Sequence, residues 1–292
     1  MKKQILALCV ISLCLPLLPA AADGGMNQNF FSRGNDKTKL ELGAESFYFD
    51  YKESGIMEES GVFYGVLGSY TYRNVPDIGI DSLDGSKPVM FKLEGRLDFG
   101  QVDYTSDGTG SIDGINDWIF EIRGLSGYDF PLGKLGNGRI TPYTGLAYRY
   151  LNDDTSGDVS STGHFGYERE SNYYYLPVGV EVYREFSGDW SAALTLEFDW
   201  LMYGKQRSHL GDAVSGLNTV DNDQHDGYGA RASVKVVKSN PAFDFFAEPF
   251  VRYWDINDSQ VSAVLYNSQI VGTGVEPANT SVEAGLRLGI QY

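Results

Sequence analysis

The stretch VMFKLEGRLDF, residues 89–99, changes character at nearly every step. Val89, Phe91, Leu93, Leu97 and Phe99 fall on one side of an extended chain; Lys92, Glu94, Arg96 and Asp98 fall on the other. A period of two is the mark of a β-strand with two unlike faces. Slipping the register by one residue would exchange the faces and place four charges among the apolar residues, so the pairing is strongly specified. WSAALTLEFDWLMY, residues 190–203, repeats the rule: Trp190, Ala192, Leu194, Leu196, Phe198, Trp200 and Met202 against Thr195, Glu197 and Asp199. EAGLRLGIQY, residues 283–292, sets Ala284, Leu286, Leu288, Ile290 and Tyr292 against Glu283 and Arg287.

Counting the alternation along the chain predicts strands near 38–51, 61–73, 88–104, 117–130, 139–151, 169–186, 190–205, 227–238, 243–255 and 280–292. The connections alternate in length. Ser187-Gly188-Asp189 and Ser239-Asn240-Pro241-Ala242 read as short turns, whereas 105–116, 152–168, 206–226 and 256–279 read as long polar loops at the other end. The segment 74–87 is longer than a short turn should be.

The decisive question is which face is inside. A soluble sandwich or lipocalin-like barrel buries its apolar face and leaves a solvated charged one. Here the charged face mixes signs closely, as in Glu121 with Arg123, Glu248 with Arg252 and Glu283 with Arg287, while the apolar face carries almost no charge apart from Arg184. Tyrosine is abundant (20 residues), as is glycine (35), and aromatics make up 14% of the chain. No apolar run reaches the roughly 18 residues a membrane helix needs. An inside-out sheet, apolar outward and charged inward, explains all of this. The fold expected is all-β: a single antiparallel transmembrane β-barrel of about ten strands, an even number as single-chain bacterial barrels have. The strands exceed the roughly 9–11 residues that cross a bilayer, so the barrel should stand above the lipid.

The N-terminus fits export. Met1-Lys2-Lys3 is basic, residues 5–18 are largely apolar, and Ala20-Ala21-Ala22 offers a small-residue cleavage site, so 1–22 reads as a signal peptide cleaved after Ala22, 23–37 as a short tail and 38–292 as the barrel. Both cysteines, Cys9 and Cys14, lie in the leader, which leaves no disulfide and no thiol chemistry to the mature chain. The net charge of −16 argues against nucleic-acid binding, which needs a basic surface.

These features resemble the outer-membrane β-barrel class of Gram-negative bacteria. Tyr292 matches the terminal aromatic of that class, and Leu286, Leu288 and Ile290 match the alternating apolar positions of its assembly signal, although an aromatic is usual where Ile290 stands. The resemblance implies the cell outer membrane as location. It implies outer-membrane lipid and lipopolysaccharide, the barrel assembly machinery and periplasmic chaperones as partners. Two aromatic girdles are expected, with Phe130, Trp190, Phe243 and Tyr292 at one edge and Tyr48, Trp118, Tyr148, Tyr150, Tyr174, Trp200, Tyr228 and Tyr253 at the other.

Three functional readings follow. The inward charges Lys92, Glu94, Arg96, Asp98, Glu121, Arg123, Arg149, Glu181, Glu197, Asp199, Arg231, Lys235, Glu248, Arg252, Glu283 and Arg287 share one narrow lumen. At that bore they interlock as a structural network, or line a narrow low-conductance pore. The long loops fit a non-enzymatic structural or adhesin-like surface role. The third reading comes from Asp223-Gln224-His225, which resembles the Asp-His pair of the omptins, ten-stranded outer-membrane proteases in which a water held between an Asp-His pair and a facing Asp pair attacks the peptide. The resemblance implies His225 as base, Asp223 as its orienting carboxylate and Asp117 as one facing carboxylate. Ile115 stands where the second should be, and Asp113 is at the wrong spacing.

No cofactor and no dedicated metal site is assigned. Asp221, Asp223 and Asp226 are close in sequence, but the glycine and glutamate an EF-hand loop needs are replaced by Asp226 and Ala232. Asn152-Asp153-Asp154 with Asp158 forms a second acidic knot, suited at most to bridging cations toward lipopolysaccharide phosphates.

Overall fold

The computed structural model describes residues 37–74, 88–132, 138–186 and 188–292. The expected leader, nearly all of the tail and most of the 74–87 connection lie outside them. Among the described residues fourteen strands form: β1 Thr38–Glu53, β2 Met57–Arg73, β3 Val89–Ser106, β4 Gly110–Tyr128, β5 Phe130–Leu132, β6 Gly138–Asp154, β7 Glu168–Glu185, β8 Trp190–His209, β9 Thr219–Gln224, β10 Gly227–Lys238, β11 Asp244–Ile256, β12 Ser262–Tyr266, β13 Gln269–Gly274 and β14 Asn279–Gln291.

Ten of these close a barrel. Each long strand pairs antiparallel with its neighbours through β1, β2, β3, β4, β6, β7, β8, β10, β11 and β14. β14 returns to β1 from Glu41↔Gln291 to Glu53↔Asn279, so no long edge is left open. Leu40 and Tyr292 exchange backbone hydrogen bonds at 2.9 and 3.1 Å, extending the seam by one residue.

The alternation puts the apolar face outward. Leu93, Phe99, Leu194, Leu196, Phe198, Trp200, Leu286 and Leu288 are all exposed. So wide an apolar exterior, with charges buried behind it, requires hydrocarbon as its solvent. The belt has an upper limit toward the long-loop end. There the outward positions become Asp50, Lys52, Glu58, Ser60, Gln101, Asp103 and Asn116, several of them paired with one another along the wall. The expected outer girdle forms in stretches of touching rings: Trp118 with Tyr150, Tyr148 with Tyr174, Tyr174 with Tyr203, and Tyr228 with Tyr253. At the other end Phe243 meets Tyr292 and Tyr128 meets Phe130.

Two expectations about the loops are corrected. The stretch 105–116 is not a loop: β3 and β4 run on past the belt and join through residues 107–109, so most of it is hairpin. The stretches 206–226 and 256–279 carry β9 and the β12–β13 hairpin. β9 is largely polar, and β12 and β13 are short and mix apolar with small polar residues, so none of them shows the two-faced alternation that marks a wall strand. Inside the wall, glycine makes room for larger groups. A Cβ on Gly65 would lie 1.9 Å from Asp98 Oδ1, and one on Gly100 would lie 2.5 Å from the Phe63 ring.

Candidate functional site

The lumen is filled in layers. Through the belt runs an ion-pair network that crosses the bore. Arg96 on β3 donates to Glu121 at 2.8 Å, to Asp98 at 2.9 Å and to Glu283 of β14 at 3.1 Å. Glu45 on β1 accepts from Arg252 at 2.9 Å and from Arg287 at 2.6 Å, and Arg96 reaches it at 3.4 Å. Arg231 joins Asp199 at 2.6 Å to Glu121 at 3.0 Å, Arg123 bridges Glu94 and Glu197, and Arg149 meets Glu283 at 3.2 Å. Nearer the short-turn end, Lys235 binds Glu41 at 2.8 Å and lies 3.5 Å from Glu248, and Lys92 pairs with Glu94. Glu181 there accepts from Arg73 at 3.0 Å and Arg139 at 3.2 Å.

Every inward charge expected from the sequence is ion-paired inside the bore, Glu181 in a separate cluster with Arg73 and Arg139. Glu41 and Glu45 belong to the network, and Arg73 and Arg139 to the Glu181 cluster, and all four were missed. In LELGAES, Glu41 and Glu45 do alternate with Leu40, Leu42 and Ala44, so the signal was present.

Above the network the inner wall turns apolar, which the sequence reading did not foresee. Phe47, Phe49, Met57, Phe63, Val102, Ile115, Ile119 and Leu151 form one buried cluster with Phe250. The Phe47 and Phe63 rings stack with centroids 5.3 Å apart. A second cluster joins Tyr173, Tyr175, Leu201, Trp254 and Ile256. Around Phe47, Phe63 and Ile119 both faces of the strands are apolar, one toward lipid and one toward the bore, whereas Phe49, Met57, Val102 and Ile115 sit behind the polar outer positions above the belt.

At the outer margin of this layer Glu59, Asp117 and Asp153 converge, all buried. Asp117 and Asp153 are cross-strand partners on β4 and β6. Beyond them lies a vestibule of about 380 Å³, lined by Glu53, Glu59, Asp153, Arg169, Glu276 and others. Arg169 reaches Glu53 at 2.6 Å and Glu276 at 2.7 Å. Glu276 stands in the segment between β13 and β14. Burial raises its carboxyl; Arg169 opposes the rise, Glu53 adds to it, and the group is pushed up to about 7.

The residues of the omptin resemblance are not brought together. A bulge at Met202 shifts the pairing of β8 with β7, so that Tyr203, Lys205 and Arg207 face outward and Gly204, Gln206 and Ser208 inward. β9 follows that register. Gln224 points inward and is fully buried, with its amide donating to the Asn257 carbonyl at 3.2 Å. Asp223 and His225 lie on the opposite, outer face: Tyr203 donates to Asp223 at 2.6 Å, and the His225 ring sits 5.8 Å from that of Tyr203. Asp117 points into the bore, and Ile115 beside it is part of the apolar layer. The wall thus separates the pair from its supposed facing carboxylate. Of the other acidic residues, Asp221 accepts from Arg207 at 3.0 Å and Lys205 at 3.3 Å. Partial burial favours its neutral form, but these hydrogen bonds outweigh that and hold its carboxyl below the usual range.

No protein-family model and no curated protein matches the sequence. Solved structures do match the fold. The outer membrane protease OmpT of Escherichia coli superposes with a TM-score of 0.61 at 10% identity, over 91% of this chain and 99% of that one. The transport unit of the autotransporter AIDA-I of Escherichia coli gives 0.46 at 9% identity, over 97% of both chains. The fold is that of an outer-membrane β-barrel. At such identity the likeness carries architecture and not activity.

Proposed function

We propose that this protein is a non-enzymatic outer-membrane barrel that acts at the cell surface, in an adhesin-like role, through the structures at its long-loop end. The observation that carries the reading is the filled bore: an ion-pair network and an apolar layer both span it, so the barrel serves as a closed pedestal. Its top presents contact surface. Val261, Ile270, Val271 and Val275 are exposed on and beside the β12–β13 hairpin, at 68, 74, 59 and 49%. Apolar groups this far above the belt have no lipid to cover them and fit a protein or glycolipid partner. The hairpin is also held firmly. Asn218 donates its N–H to the Leu265 carbonyl at 3.0 Å and its side-chain oxygen accepts from the Leu265 N–H at 2.7 Å, while Gln260 donates to the Asp223 carbonyl at 2.8 Å.

Insertion by the barrel assembly machinery and contact with lipopolysaccharide belong to the same proposal. The test compares full-length protein with a variant in which residues 262–274 are replaced by a short Gly-Ser turn. Cell–cell aggregation and attachment to host-cell monolayers are measured at equal surface levels. Loss of attachment with the barrel still heat-modifiable supports the reading, and unchanged attachment overturns it. Cleavage of a basic peptide library that disappears in His225→Ala would establish the omptin-like alternative instead. Steady currents in planar bilayers, on the order of a wide porin's, would establish a pore.

A further inference from the structure

The charge balance of the lumen changes with height. Within the belt, the carboxylates of the network are matched nearly one for one by arginine and lysine. At the outer margin they are not. Glu53, Glu59, Asp117, Asp153 and Glu276 gather around one guanidinium, that of Arg169, which contacts Glu53 and Glu276 and lies 3.9 Å from Asp153. Among the described residues, Asp117 and Glu59 make no ion pair within 4.0 Å.

Asp117 supplies a second and separate observation. It is 2% exposed, and neither of its carboxylate oxygens has a hydrogen-bond donor. One oxygen of Asp153 is in the same position. A buried carboxylate without a donor is costly, and native structures compensate such groups with a counter-charge or an ion. The backbone gives this one no escape. Asp117 is fixed between Ile115 and Ile119, both in the apolar layer, so its side chain can only point inward.

The geometry suits a cation. One oxygen each from Glu59, Asp117 and Asp153 lie within 4.8 Å of one another. Three oxygens at the Ca²⁺ coordination distance of about 2.4 Å from a common ion can be no more than about 4.8 Å apart, so the spacing is compatible with one shared ion. The donors are all hard carboxylate oxygens, with no sulfur or imidazole, which favours Ca²⁺ over zinc or copper. Glu59 and Asp153 also line the water-accessible vestibule, which provides an entry path and room for water ligands.

We propose that Glu59, Asp117 and Asp153 form a divalent-cation site, best suited to Ca²⁺, that ties β2, β4 and β6 together at the outer mouth of the barrel. These strands are distant in sequence and are not all neighbours in the wall, so a bound ion would cross-link the mouth.

The test is calorimetric titration of Ca²⁺ into full-length, folded protein in chelator-treated detergent micelles, with thermal unfolding measured with and without the ion. One Ca²⁺ per chain is expected, together with a higher unfolding temperature. Asp117→Asn keeps the shape and should fold. It should weaken binding by about tenfold or more and abolish the thermal shift. Glu59→Gln, on another strand, should do the same, whereas Asp221→Asn on the outer wall should leave binding unchanged. Absence of binding at roughly 10 mM Ca²⁺ (far weaker than even extracellular sites) overturns the proposal and leaves protons as the neutralising species. Binding that persists at full strength in Asp117→Asn also overturns it. These outcomes do not depend on what the β12–β13 hairpin binds.

Discussion

Glu45 is the residue on which the central network depends most. It is 3% exposed and serves Arg252, Arg287 and Arg96 from three other strands. Glu45→Ala removes one carboxylate and leaves three buried guanidiniums short of charge. Removing one partner of a buried pair typically costs about 3–5 kcal/mol, because the survivor remains desolvated. Here each survivor keeps another partner: Arg252 keeps Glu283, Arg287 keeps Glu248, and Arg96 keeps Asp98, Glu121 and Glu283. The loss should therefore lie near the lower end, about 3 kcal/mol. Glu45→Gln retains acceptor oxygen but no charge, and should cost about half as much. The assay is reversible urea unfolding in lipid vesicles, followed by tryptophan fluorescence, with heat-modifiable migration confirming closure at the start. A cycle with Arg287→Ala should return a coupling of at least about 0.5 kcal/mol. A cost for Glu45→Ala below about 1 kcal/mol, the range of exposed pairs, would show that the lumen is solvated and would refute the closed-bore argument.

Two other outcomes follow from the packing and the charge. Gly65→Ala should block folding or destabilise by at least about 1–3 kcal/mol, since its methyl would overlap the Asp98 carboxylate and lie 2.5 Å from the Leu97 carbonyl oxygen, whereas Gly95→Ala, whose nearest neighbour is 3.5 Å away, should migrate as wild type on heat-modifiability gels. Glu276, raised to about 7, binds its proton in the folded protein where an ordinary carboxyl has lost it, so its contribution to stability falls as pH rises from the ordinary carboxyl range through 7; a carbonyl infrared band titrating near neutrality and absent in Glu276→Gln would verify this, and a midpoint in the usual carboxyl range would refute it.

The period-two pattern was enough to determine the barrel. Strands such as 89–99 and 190–203 have one face that only hydrocarbon accepts and one that only a polar interior accepts, and a closed antiparallel sheet satisfies both. Strand number, register and the membership of the lumen network follow from that local rule, which is why Arg96, Glu121, Arg252 and Glu283 could be assigned before any coordinates.

Where both faces of a strand share one character, the rule is silent. The apolar layer of Phe47, Phe63, Ile119 and Leu151 sits behind an equally apolar exterior, β9 is largely polar on both sides, and β12 and β13 are too short to show a period. A single bulge at Met202 reverses the side on which Asp223 and His225 emerge, and no sequence period signals a one-residue insertion. The acidic triad is the clearest case. Asp153 was visible as part of a polar knot and Asp117 as a lone carboxylate, while Glu59 was indistinguishable from the exposed Glu58 beside it. Only closure of the barrel brings residues from three strands within reach of one ion, because the distances that define such a site run across the bore and not along the chain.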